Sequence, residues 1–148
     1  MTNDITQYAW KPASELARCE AGPAHRILVV DNDPYICHVS ADVLIRHGYE
    51  VTAAEDGAAG WAELQAYNYQ LLITEHALRK LTGIALVRKL RAAGMALPVV
   101  MAAGRLPTRA LARNPSLQLS ATLVKPFALD ALLNTVRTVL RAADRPSQ

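Results

Sequence analysis

Cysteine and aromatic residues are scarce in this chain, and it has no membrane-length apolar run. The only thiols are Cys19 and Cys37, in different segments and without the spacing of a metal-binding or redox pair. Reduced thiols and a cytoplasmic location are therefore expected. Aromatic residues make up 5% of the chain, too few to interleave with basic groups as a stacking platform for nucleic acid. No apolar run approaches the ~18 residues of a membrane span, and the N-terminus lacks a signal-peptide pattern. Glycine is absent from the first polar turn, Asp31-Asn32-Asp33-Pro34, which excludes a dinucleotide-binding loop. Positive charge is mild: 16 Lys and Arg against 13 acids, a net charge of +3. The cations read as scattered over solvated helix faces, so neither nucleic acid nor membrane is an expected partner.

What the chain does contain is organised around Arg26-Ile27-Leu28-Val29-Val30 and the acidic turn after it. A run of aliphatic residues, three of them β-branched, reads as a short strand buried on both faces. Asp33 then offers an N-cap oxygen, and Pro34 suits the first helical position. Strand, acidic turn and helix begin a βαβ unit. In open parallel sheets, chemistry sits at the carboxyl ends of the strands.

The same pattern repeats downstream. Strands are expected at about 49–54, 69–74, 98–102 and 121–124. Helices are expected from Pro34 to His47, Ala59 to Ala66, Gly83 to Gly94, Pro107 to Arg113 and Ala128 to Arg141. Five strands alternating with five helices make an α/β, doubly wound parallel sheet with helices on both faces. The 148 residues divide into an N-terminal extension (1–24), one domain (25–142) and a short tail (143–148). The extension is weakly periodic and reads as a flexible leader or as a segment docking through Trp10.

The strand ends bring together Asp31, Asn32 and Asp33, then Glu75, Ala103 and Lys125. His76 is read as an ordinary histidine, because no second ligand stands at a fixed spacing from it. With Val29-Val30-Asp31, Glu55-Asp56-Gly57, Gly83, Pro98-Val99-Val100-Met101 and Val124-Lys125-Pro126-Phe127, the chain resembles the receiver domain of two-component response regulators. The resemblance runs from about Arg26 to Arg141 and implies a flavodoxin-like strand order 2-1-3-4-5. It also implies an acidic pair that binds Mg²⁺ and an aspartate that accepts a phosphoryl group from a histidine kinase. A Thr or Ser and a lysine would then contact the phosphoryl oxygens.

Placed on this chain, Asp31 matches the first acid of the pair, while Asn32 stands where the second belongs. Glu75 occupies the phosphoacceptor position, Ala103 the Thr/Ser position and Thr122 that of an aromatic switch residue. An amide removes charge from a Mg²⁺ site, a glutamate displaces the nucleophile, and an alanine lacks the hydroxyl. The expectation is a degenerate receiver, not an enzyme, with an impaired or absent phosphoryl switch. Any Mg²⁺ would be held weakly by Asp31 and Glu75. It would act by protein–protein contact with a histidine kinase, phosphotransfer protein or output protein, and as a stand-alone domain because the chain ends soon after Arg141. The alternatives are a working phosphorelay receiver using Glu75 or another acid, and a constitutive mimic in which Glu75 stands in for a phospho-aspartate. A homodimer would use the fourth helix, fifth strand and fifth helix, with Arg109, Asp130, Arg137 and Arg141 pairing across it.

Overall fold

Side-chain alternation along the strands divides the apolar core in two. Leu28, Val30, Leu72, Val99 and Met101 point to one face of the sheet. Ile27, Val29, Leu71, Ile73 and Val100 point to the other. A sheet buried on both faces needs such continuous aliphatic strands.

The computed structural model describes residues 24–145. Its strands are β1 (Arg26–Val30), β2 (Glu50–Ala54), β3 (Leu71–Glu75), β4 (Val99–Ala103) and β5 (Ala121–Val124). All pair in parallel in the order β2-β1-β3-β4-β5, as the resemblance implied. The helices are α1 (Pro34–Arg46), α2 (Gly57–Ala66), α3 (Gly83–Ala92), α4 (Thr108–Arg113) and α5 (Leu129–Ala143). Helices α2 and α3 cover the first cluster, with α4 against its margin. Helices α1 and α5 cover the second. The leader and its Trp10 lie outside the described residues.

Local chemistry sets the helix starts. The carboxylates of Asp33 and Asp56 cap α1 and α2 by accepting from the amides of Tyr35 and Ala59. Thr82 Oγ1 accepts from Ala85 N at the head of α3. Gly83 is needed there for closeness: a Cβ would lie 2.8 Å from Cα of His76 and collide with the carbonyl of Glu75. The missing side chain lets α3 begin directly against the end of β3. Two strand ends differ from expectation. Glu75 and Ala103 are the last residues of their strands, not the first beyond them.

Arg91, at the end of α3, holds the base of this layer. Its guanidinium donates to the carbonyls of Met95, Leu97, Leu117 and Gln118. A fork of fixed donors suits four acceptors in a way an ammonium does not. Arg91→Lys should therefore lower stability by about 1–2 kcal/mol, read as a fall in the chemical-denaturation midpoint. An unchanged midpoint would mean that water replaces the lost bonds.

Candidate functional site

Three strands, β1 and β3 side by side and β5 beyond β4, deliver the charged groups to one edge of the sheet. Asp31 follows β1, Glu75 ends β3, and Lys125 follows β5. The peptide bond between Lys125 and Pro126 is cis. Lys125 Nζ lies 2.6 Å from Asp31 Oδ2 and 2.6 Å from Glu75 Oε1. The three side chains are largely buried, with 18%, 7% and 10% of their surfaces exposed. At that depth the contacts are charge-assisted bonds in a low dielectric, unlike a surface ion pair.

The remaining oxygens are also engaged. Asp31 Oδ1 accepts from the amide of Asp33. Glu75 Oε2 accepts from the amides of His76 and Ala77. Burial opposes the charge of Glu75, but the Lys125 bond and these two amides outweigh it and hold the carboxyl below its usual value. Burial likewise opposes the charge on Lys125, and its bonds to Asp31 and Glu75 raise it above the ordinary lysine value. Glu75 and Lys125 therefore both favour their charged forms.

Asn32 does something its position in the sequence did not disclose. Its Nδ2 donates to the carbonyl of Ala77 at 2.6 Å, and its Oδ1 accepts from the amide of Arg79 at 3.1 Å. An amide both donates and accepts, so it can close this loop from both sides. A carboxylate could do only half of it.

The structure brings Asp31, Asn32, Glu75, Ala103 and Lys125 to the same edge of the sheet, while Asp33 and Thr122 take other places. Asp33 is exposed and caps α1. Ala103 is fully buried and supplies a backbone carbonyl to the amide of Lys125. Thr122 is exposed on β5, an edge strand. His76 Nδ1 is buried without a hydrogen-bond partner among the described residues. Cys37 packs beneath the site, where burial and the charge of Asp31 push its thiol up to about 11.

A divalent cation here would need hard oxygen ligands. The candidates are Asp31 Oδ2, Glu75 Oε1 and the carbonyl of Ala77, and each is capped by a nitrogen donor at 2.6 Å. Among the described residues, no group of three or more His, Cys, Asp or Glu is arranged around a metal position. The donor set does not fit Mg²⁺.

Burial raises the Tyr49 phenol, and the charges of Arg137 and Arg141 pull it partly back.

Residues 27–137 match the family model described as the response regulator receiver domain. The probable transcriptional regulatory protein SilR of Salmonella typhimurium is 34% identical over 120 residues, covering 78% of this chain and 51% of that protein. Protein RcaC of Microchaete diplosiphon is 29% identical over 116 residues, covering 78% of this chain and 18% of its own. The chain thus spans about half, or less, of the length of these curated relatives. A CheY-like receiver domain protein of Methanospirillum hungatei JF-1 superposes with a TM-score of 0.77 at 23% identity, covering 81% of this chain and 96% of that one. No helix among the described residues is long and apolar enough to cross a membrane.

Proposed function

The chain belongs to the response regulator receiver domain family of two-component signalling, and from that membership we propose that it is a receiver held in one state by its own lysine, signalling through protein contacts without an aspartyl-phosphate switch. The observation that carries this reading is the pair of hydrogen bonds that Lys125 donates to Asp31 and Glu75, both at 2.6 Å. Phosphoryl uptake requires a free carboxylate oxygen in line with the donor. Here one oxygen of Glu75 faces the ammonium and the other faces two backbone amides. A dianionic phosphoryl group would also enter a cluster that already carries one net negative charge.

Readout is missing as well. Ala103 has no hydroxyl to follow a phosphoryl oxygen, and Asn32 pins the β3–α3 loop that would have to move. The short Glu75–Lys125 contact favours a second reading, in which the glutamate acts as a permanent, singly charged substitute for a phospho-aspartate. Both readings make the domain a constant binding surface for a kinase, phosphotransfer or output protein in the cytoplasm, with no catalytic turnover of its own.

The test is incubation of the wild-type chain with acetyl phosphate and Mg²⁺, followed by intact-mass analysis and, separately, calorimetric titration with Mg²⁺. The mass should not change, and the titration should show no saturable heat. Stoichiometric addition of a phosphoryl group, or a micromolar Mg²⁺ dissociation constant, would overturn the proposal in favour of a working phosphorelay receiver.

A further inference from the structure

The acidic residues are unevenly distributed. From His76 to Leu129 the chain carries nine of its 16 Lys and Arg residues and none of its 13 acids. This stretch supplies α3, β4, α4 and β5. Three of the nine cations are held by carboxylates or by a set of carbonyls: Lys125 in the clamp, Arg91 on its carbonyls, and Lys80 3.7 Å from Asp56. The other six are Arg79, Arg88, Lys89, Arg105, Arg109 and Arg113. All are exposed, and none forms an ion pair among the described residues.

The fold gathers most of them on one face. Arg88 of α3 reaches Asn114, the residue that ends α4, at 3.5 Å. Arg109 and Arg113 are four residues apart on α4, so they share a side of that helix. Lys89 lies 5.7 Å from the centre of the Trp61 ring on α2, extending the row the other way. The result is a basic stripe across the outside of α3 and α4. Half-buried Leu106, Leu111 and Leu119 lie at the margin of the core beneath it.

We propose that this α3–α4 face is a docking surface for an acidic segment of a protein partner. The inference rests on the protein-binding reading above and names the chemistry of the partner. A second copy of this chain does not fit, because isologous pairing would set arginine against arginine. A polypeptide fits better than nucleic acid for two reasons. Trp61, half-buried, already lies beneath Lys89, so it is not free to stack on a base. Charged groups around apolar ground also resemble the rim and core of a protein interface.

The experiment uses the full chain and two labelled polyanions, poly-L-glutamate and a DNA duplex of roughly 20 base pairs, followed by fluorescence anisotropy at about 150 mM salt. Arg88→Glu, Arg109→Glu and Arg113→Glu are combined in one variant. Arg137→Glu, Arg141→Glu and Arg145→Glu make a control with the same charge change on α5. Exposed substitutions such as these should leave the unfolding midpoint nearly unchanged.

Poly-L-glutamate should bind the wild type and the α5 variant alike, and the α3–α4 variant at least tenfold more weakly. Equal weakening in both variants would mean attraction to total charge, and would overturn the assigned face. Failure of poly-L-glutamate to bind would overturn the proposal, and duplex binding in that case would identify the partner as nucleic acid. Phosphoryl uptake is a separate readout, so failure of the locked-receiver reading is distinguishable from failure of this one.

Discussion

Lys125→Met should lower stability at neutral pH by roughly 3 kcal/mol, the usual scale for removing one partner of a buried ion pair. The expected fall in melting temperature is about 10 °C for a domain of this size. Methionine keeps most of the apolar stem, so the loss is chiefly electrostatic. Asp31 and Glu75 would be left in a buried site with no opposing charge. The pH dependence identifies the cause. In the wild type the Glu75 carboxyl is held below its usual value of 4.5, so its contribution is present above that pH and is lost as pH falls through the lowered value. The Lys125 ammonium is raised above 10.5, so its contribution is complete below that pH and is lost as pH rises through the raised value. Wild-type stability from these two groups is thus flat between the two limits. In the variant Glu75 has lost the bond that favoured its charge, so it takes up a proton more readily and the molecule recovers on acidification. The gap between the two melting temperatures should be widest at neutral pH and should narrow toward pH 4.5. A gap that does not change with pH would assign the loss to packing and remove the clamp from the account.

The sheet was readable because its strands leave little choice. Val29, Val30, Leu72, Ile73, Val99 and Val100 stand in runs too apolar for a surface strand, and all are at most 4% exposed. The polar turn after Val30 and the Lys-Pro after Val124 marked the edge where Asp31, Glu75 and Lys125 meet. Other features depend on distances the chain order does not reveal. Asn32, standing where the family's second acid belongs, also closes a loop 45 residues further on by donating at one atom and accepting at the other. Ala103, expected just past the fourth strand, is its fully buried last residue.

The charge pattern failed for a different reason. A net charge of +3 averages an acid-free third of the chain with an acid-bearing remainder, so the cations looked scattered. The absence of acids from 76 to 129 was legible in the sequence and was hidden by counting the whole chain at once.

Restoring three side chains should restore phosphoryl chemistry. Asn32→Asp removes the amide that caps the carbonyl of Ala77 and returns a carboxylate beside it. Glu75→Asp shortens the acceptor by one methylene and draws it back from Lys125, opening an oxygen to an incoming group. Ala103→Thr adds a hydroxyl at the end of β4. That position is fully buried, so the last change should cost about 1–2 kcal/mol of stability. Each single variant should remain unlabelled, because the other two obstacles persist and groups acting on one transition state are not additive. The triple variant, incubated with acetyl phosphate and Mg²⁺, should gain the mass of one phosphoryl group, with a rate at least ~10²-fold above any single variant. Mild base should then remove the added mass, as expected for an acyl phosphate. A triple variant that unfolds cooperatively yet gains no mass would show that the scaffold has lost more than these three groups. Labelling of the Glu75→Asp single variant at the rate of the triple would show that acceptor length alone was the obstacle, and that Asn32 and Ala103 are bystanders.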